Sequence, residues 1–420
     1  MQICDREACS GCAACSNICP VGCIDMLEDE FGFTRPAIDE ARCIACGRCR
    51  TVCPVISAVE LREPRACYAA YRIDDAARAD SASGGVAAVF YEQALRHQAE
   101  DAAYGVILDG RMRAVFSAAR QPSEAEGFKG SKYVQADLEL VYQSVAEDLL
   151  AGRRVLFIAM PCQVAACLSF LKARRVQDDG LITVDILCHG VSPWKYLSDE
   201  LEHLKKRHRW SEIRRITFRS NRPNENYHLV LRAVRANSGA GEARRKMVEY
   251  NRIANADPYF TAFLKGVSLR DSCYQCRYAC PKRAGDITIG DFIGLGSQKC
   301  SPPFAGKSGN ASLVLVNTPK GDDFLKLCTD RMRLFERPYQ EACEGGSSLQ
   351  RPFPRHPSRD AFLAEYSRSS FVPAMETLFG KEMRKARVRA IPKDMAHRVA
   401  RMVGVDPRKL KEFIKKREQI

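Results

Sequence analysis

The stretch "CSGCAACSNICP", residues 9–20, sets four cysteines in twelve positions, and "CIACGRCRTVCP", residues 43–54, repeats the arrangement. Both read C-x2-C-x2-C-x3-C-P, the spacing of bacterial ferredoxins. A tight C-x2-C-x2-C loop wraps three corners of a cubane 4Fe-4S cluster, and in two-cluster proteins the fourth thiolate crosses over from the other motif. The spacing therefore assigns Cys9, Cys12, Cys15 and Cys53 to one cluster, and Cys43, Cys46, Cys49 and Cys19 to a second. An offset of 34 residues (43 minus 9) marks an internal duplication whose halves pack about a pseudo-twofold axis. Pro20 and Pro54 fix the chain just after each crossing cysteine. Disulfides are the competing use of so many thiols. The start "MQICDREACS" lacks a basic segment followed by an apolar one, so the expected location is the cytoplasm, where thiols serve as ligands. Zinc would need two pairs or a Cys/His mixture, and no histidine precedes His97. Cys4 and Cys23 fall outside the pattern and read as packing residues.

Working outward, 420 residues with a 46% hydrophobic composition allow two or three domains with a sizeable core. No apolar run approaches the eighteen or so residues of a membrane span, so no transmembrane segment is expected. The net charge is +14, and residues 381–420, with fourteen Lys/Arg against five Asp/Glu, hold +9 of it. Two amphipathic helices are expected there, at 393–403 and 407–417. A basic amphipathic tail suits an acidic partner subunit or anionic lipid, and a solvated helical cap is the plainer reading. Nucleic acid rests on the charge alone and is disfavoured.

After Pro54 the cysteine density collapses, which places a domain boundary near residue 60. Helical and extended patterns then alternate. Helices are expected at 86–98, 137–151 and "QVAACLSFLKA", with strands at 103–108, 113–117, "RVLFIAM", "LITVDIL", 213–219, 227–234 and 312–317. The expected fold is an α+β ferredoxin-like dicluster module over 1–60, then an α/β domain with a largely parallel sheet over 61–335. Residues 336–420 are expected to form a loop, 336–357, and a basic helical tail.

"VLFIAMPCQVAACLSFLKARRVQDDGLITVDILCHGVSP" has the length of a βαβ unit. Parallel strands put their carboxyl ends at one sheet edge, so Cys162 and Cys188 are expected to be neighbours. "LRDSCYQCRYACPKRAGDITIGDF" adds Cys273, Cys276 and Cys280. Cys162, Cys188, Cys273 and Cys276 are the favoured ligands of a third 4Fe-4S cluster, with Cys280 in reserve; four cysteines also suit a closed zinc site. "SASGG", residues 81–85, precedes a helix, so Ser83, Gly84 and Gly85 either approach a phosphate or simply cap that helix. In "KGSKYVQ", residues 129–135, Ser131, Lys132 and Tyr133 offer a cation and an aromatic ring to a pyrophosphate or an isoalloxazine. No G-x-G-x-x-G follows a strand, so a Rossmann site is not indicated. Asp286 and Asp291 either orient cofactor groups or close turns.

"SASGGVAAVFYEQAL", "KGSKYVQ", "VLFIAMPCQVAACLSFL", "DILCHGVSP", "FRSNR" and "SCYQCRYACPKRAGDITIGDF" occur in this order. Together they resemble the coenzyme F420 hydrogenase/dehydrogenase beta-subunit family over roughly residues 65–330. The resemblance implies a non-Rossmann FAD site, an adjacent 4Fe-4S cluster on Cys162, Cys188, Cys273 and Cys276, and chemistry on a deazaflavin coenzyme or another reducible small molecule. Ala159-Met160 stands where the family has "GT" before "PC", and Ile293 where a Trp follows "GDF". The expected activity is that of an iron–sulfur flavin-dependent oxidoreductase fed by a donor protein such as ferredoxin, with His189 a candidate proton donor. The alternative is an electron-transfer subunit without its own substrate that docks a catalytic partner through the tail.

Overall fold

The computed structural model of the chain describes residues 1–57, 59–97, 100–222, 226–235, 246–296, 304, 311–345 and 347–390. The helices expected at 393–403 and 407–417 lie outside the described residues. Strands run, in chain order, Ile24–Glu28 (β1), Thr34–Ile38 (β2), Ala66–Arg72 (β3), Asp101–Leu108 (β4), Ala114–Ala119 (β5), Arg154–Ala159 (β6), Leu181–Ile186 (β7), Trp210–Thr217 (β8), His228–Arg235 (β9), Lys246–Ile253 (β10), Ile287–Asp291 (β11), Ser312–Val316 (β12) and Met332–Glu336 (β13). The chain divides into two compact units. Among the described residues, those within 1–195, 217–226 and 269–355 form the first, and those within 196–216, 227–268 and 356–390 the second. The ferredoxin module and the main sheet share the first unit.

In the module, β1 and β2 form an antiparallel ladder from Ile24 opposite Ile38 to Glu28 opposite Thr34. Each cysteine motif carries a short helix, Ala14–Ile18 and Arg48–Thr51. The 34-residue duplication is visible in the backbone. Gly11 and Ala45 have φ of 64° and 52°, and Ala13 and Gly47 have φ of 56° and 72°. Left-handed residues at matching places turn successive N–H groups to one side, a concavity suited to anionic sulfur.

The main sheet has the order β13-β3-β12-β11-β7-β6-β4-β5. Its centre, β11-β7-β6-β4, is parallel, and the remaining pairings are antiparallel. Val155 to Ala159 of β6 are all buried, the continuous apolar run of a strand covered on both faces. Alternation along β12 splits the core. Val314 and Val316 pack with Val89, Phe90 and Leu156 on one face, while Leu313 and Leu315 pack with Cys67, Ala69 and Leu349 on the other. Because β3 and β11 are each antiparallel to β12, they run the same way, and the carboxyl ends of β3, β11, β7, β6 and β4 share one edge. Ligands of open α/β sheets collect at such an edge.

Residues 336–357, expected as a loop, contain the helix Tyr339–Gly345. Its turn is fastened by Arg337 and Glu341, paired at 2.7 Å with side chains 3% and 0% exposed. The Pro/Gly/Ser composition around this segment hid a single i,i+4 ion pair.

The second unit carries a sheet of order β10-β9-β8, with Lys246 opposite Arg235 in the antiparallel β9–β10 pair. Helices Pro258–Lys265, Arg359–Arg368 and Phe371–Arg389 join most of Trp194–His208 around an aromatic core. Tyr196 stacks on Phe371 at 5.2 Å and meets Phe362 edge-on at 5.5 Å. Buried Glu200 accepts the Tyr259 N–H at 2.6 Å. Among the described residues, no helix is long and apolar enough to cross a membrane.

Candidate metal and cofactor sites

Cys9, Cys12, Cys15 and Cys53 line one cavity of about 20 Å³, closed by Ile3, Met26, Pro36 and Val55. Cys53 thus reaches the set its spacing assigns it to. Cys4 lines the same cavity, and hydrogen bonding with its thiol holds Cys9 and Cys53 below the ordinary thiol range. In the other half, Cys19, Cys43 and Cys49 pack on the same small core while Cys46 is exposed. Cys23 Sγ lies 3.4 Å from Cys19 Sγ. The two thiols outside the motif therefore sit one beside each set. Burial pushes Cys12 up to about 12 and Cys15 further. Metal binding to such thiols releases protons, because only the thiolate is a ligand.

At the sheet edge, Cys162 lies in the first turn of the helix Pro161–Arg174 that follows β6, and Cys188 lies two residues past β7. The register Val155–Leu181 to Ala159–Asp185 brings these two ends side by side. Cys273 and Cys276 come from the turn Asp271–Gln275 and the residue after it. All four, with His189, line a cavity of about 400 Å³. Cys280 is not among its lining residues, and its thiol donates to the Lys282 carbonyl at 3.3 Å. Among the described residues, no three His, Cys, Asp or Glu side chains converge as ligands of a single metal ion.

Buried contacts hold the cysteine loops in place. Asp185, at the end of β7, pairs with Arg283 at 2.6 Å, with side chains 0% and 1% exposed. Its other oxygen accepts the N–H groups of Ala284 and Gly285 at 3.1 and 2.8 Å. Gly190 explains the "CHG" signature, for a Cβ there would lie 2.7 Å from Leu269 and 3.3 Å from the Cys273 side chain. Arg270 donates its N–H to Val191 O, and Cys273 donates to Arg270 O, both at 2.9 Å. The His189 ring lies 4.1 Å from that of Phe353. Burial drives the Cys162 thiol well up, and the neighbouring thiols Cys276, Cys188, Cys12 and Cys273 resist its ionisation further. Burial pushes Cys273 up to about 11.

A second constellation forms where β3 and β11 end. Gly84 N–H donates to Ser312 Oγ at 3.0 Å, and a Cβ on Gly84 would lie 2.2 Å from the Ala70 carbonyl. Close backbone packing therefore requires this glycine. Ser83 Oγ donates to Ala311 O at 3.3 Å. Gly85, with φ of 82°, starts the helix Val86–Ala94, whose first N–H groups have no partner within the helix. The Lys132 ammonium donates to the carbonyls of Gly127, Phe128 and Lys129 at 2.9, 3.0 and 3.0 Å, closing the end of the turn Glu124–Phe128. Ser131 and Arg219 hydrogen-bond to Tyr133, whose ring meets Phe218 edge-on at 5.8 Å. Arg219, 4% exposed, also pairs with Asp291. Asn221 Nδ2 donates to Ser83 O at 2.7 Å. Asp286 ties separate parts of the sheet together, accepting from Thr183 Oγ1 at 2.7 Å and Thr318 Oγ1 at 2.8 Å.

Residues 152–342 match the family model for the C terminus of the coenzyme F420 hydrogenase/dehydrogenase beta subunit, and residues 8–56 match that of a 4Fe-4S dicluster domain. Among solved structures, the chain is similar to one from the F420-reducing NiFe hydrogenase complex of Methanosarcina barkeri, at 14% identity and a TM-score of 0.41, covering 76% of this chain and 93% of that chain. Comparison with curated proteins gives no match. The beta-subunit match contains Cys162, Cys188, His189, Cys273 and Cys276, whereas "SASGG" and "KGSKYVQ" precede it. Sequence reasoning passed over three side chains inside the match. Arg219 and Asn221 carry no role of their own within "FRSNR", and Arg270 stands three residues before Cys273, where a cation beside a cysteine ligand was the available signal.

Proposed function

We propose that this chain is an iron–sulfur flavoprotein oxidoreductase that takes electrons from a low-potential donor such as ferredoxin and delivers them to an organic acceptor, a deazaflavin coenzyme or another reducible small molecule. Its redox groups in this reading are two clusters on the N-terminal cysteines, a third on Cys162, Cys188, Cys273 and Cys276, and FAD. One observation carries the reading. The 400 Å³ cavity lined by the four edge cysteines is also lined by Ala8, Ser10, Pro54 and Val55, the chain neighbours of Cys9 and Cys53. The chain on either side of Cys9 and after Cys53 therefore borders the cavity that the edge thiols line.

FAD would supply the exchange between single-electron and two-electron chemistry. The residues that fit it are Gly85 with the N-terminus of helix Val86–Ala94 for a phosphate, and Tyr133 with Arg219 for the ring or the pyrophosphate. Asn221 fixes the loop through Ser83 O, and Asp291 orients Arg219. His189 faces the cavity as the candidate proton donor to a bound acceptor.

Anaerobic purification with iron, sulfide and flavin counts tests the composition. About twelve irons are expected per chain, four for each cubane, together with flavin. About eight irons with zinc present would remove the third cluster from the reading. Activity is tested by supplying reduced ferredoxin and an added deazaflavin to the fully loaded chain. Loaded protein that reduces no acceptor would instead be an electron-transfer subunit for a separate catalytic partner.

A further inference from the structure

Arg270 is wholly buried, at 0% exposure. Its Nε and Nη2 donate to Gln135 Oε1 at 3.1 and 2.7 Å, Nη1 to Cys9 O at 3.2 Å, and Nη2 to Thr34 O at 2.9 Å and Thr34 Oγ1 at 3.5 Å. The Phe33 ring lies 5.2 Å from Cζ. Each of these acceptors, and the ring, is neutral, yet a guanidinium keeps its charge in a protein. Arg283 and Arg337, also buried, are neutralised by Asp185 and Glu341. Among the described residues no carboxylate plays that part for Arg270. Asp29 and Asp271, the latter next to Arg270 in sequence, pair with Arg35 at 2.6 and 3.5 Å. A buried charge without an opposite charge is costly, and buried ions are paired or belong to metal sites.

The missing counter-charge is indicated by what the guanidinium touches. It hydrogen-bonds to the Cys9 carbonyl and presses on Gly11, where a Cβ would come within 2.7 Å of Nη2. Both lie in the first C-x2-C loop. Its own carbonyl takes the Cys273 N–H. We infer that Arg270 is the counter-ion of the cluster held by Cys9, Cys12, Cys15 and Cys53 and sets that cluster's reduction potential. An iron–sulfur core on four thiolates is anionic and gains one further negative charge on reduction. A fixed cation stabilises the reduced form more than the oxidised one and raises the potential, in a dry site where the field is little screened. By holding the Cys9 loop with its side chain and the Cys273 loop with its backbone carbonyl, the same residue also ties the two thiol sets together. Arg270 is a positioning and electrostatic residue, not a ligand.

The inference rests on the reading that the first thiol set holds a cluster, so iron is counted alongside potential. The full chain is reduced stepwise under anaerobic conditions while its cluster signals are followed by electron paramagnetic resonance. With iron unchanged, Arg270→Gln is expected to lower one midpoint. The reduced-to-oxidised ratio at fixed ambient potential should fall about tenfold, equivalent to ~59 mV for one electron. Arg270→Lys keeps the charge and should stay within about twofold of wild type. The difference between the two variants should persist at high salt, since a buried charge escapes screening. Arg270→Gln with full iron and an unmoved midpoint overturns the inference. If Arg270→Gln fails to hold iron, Gln135→Glu places a neutralising carboxylate on the guanidinium. A lowered midpoint then supports the inference and an unchanged one overturns it. Wild-type protein lacking the first cluster would sink the cluster reading instead, and iron content reports that separately.

Discussion

In the ferredoxin module each thiol set is drawn from a short loop plus one crossing cysteine, all within residues 9–53, whereas the edge cavity collects Cys162, Cys188, Cys273 and Cys276 across 114 residues (276 minus 162). The first set is organised by local backbone, with left-handed residues repeated at 11 and 45 and at 13 and 47. The second is organised by parallel strand register and by one buried ion pair, Asp185–Arg283. Local geometry tolerates loss of distant parts. A site assembled by topology shares the fate of the sheet.

The largest expected effect separates the two directly. Cys162→Ala should cost about four irons while the N-terminal cluster signals persist, and Cys12→Ala should remove about four irons from the other set. Loss of all iron in either variant would show that the two sites assemble as one. Next in size is Asp185→Ala, which leaves Arg283 buried without its partner and should destabilise the first unit by about 3–5 kcal/mol. The midpoint of urea unfolding reads this, and iron retained by the N-terminal thiols at intermediate urea would confirm that the module is the more self-sufficient region. Gly84→Val should follow at about 1–3 kcal/mol, because its side chain meets the Ala70 carbonyl. Flavin loss with an unchanged melting temperature would instead make this glycine a ligand contact. Lys132→Ala should cost about 1.5 kcal/mol, the low end for a charged hydrogen bond that is partly exposed. Flavin content should be unaffected, since the ammonium is taken up by its own loop.

The smallest effect lies in the second unit and depends on pH. Burial raises the Glu200 carboxyl well above its usual range, and nearby Asp257 adds to the rise. The native state then binds a proton that the unfolded chain has released. The stability from this group is complete below the ordinary carboxylate range and is lost as pH rises toward the raised value. Glu200→Gln should flatten that slope and make the protein relatively more stable at alkaline pH, as read by thermal melting from pH 5 to 9.

The twelve-residue motif made the first two thiol sets legible because ligand spacing is a local property. The βαβ pattern around "VLFIAM" and "LITVDIL" likewise exposed Cys162 and Cys188, since parallel strands leave little choice of edge. Pattern could not reveal that β3, an antiparallel neighbour of β12, would carry "SASGG" to that same edge, because pairing across more than 200 residues leaves no periodic trace. Lys132 was ambiguous for a related reason. A lysine beside an aromatic in a glycine-containing loop has the same composition whether it faces a phosphate or caps its own turn, and only the three carbonyl distances distinguish them. Arg270 was silent in the sequence because its meaning lies in what it lacks, a carboxylate.

The strand register also fixes an order of events during synthesis. The last motif thiol of the ferredoxin module, Cys53, is translated 223 residues before Cys276 completes the edge set (276 minus 53). The edge set also waits for β11, whose pairing with β7 brings Ala284 and Gly285 onto Asp185. A ribosome-bound chain therefore presents a complete pair of ferredoxin motifs long before the edge cradle can exist.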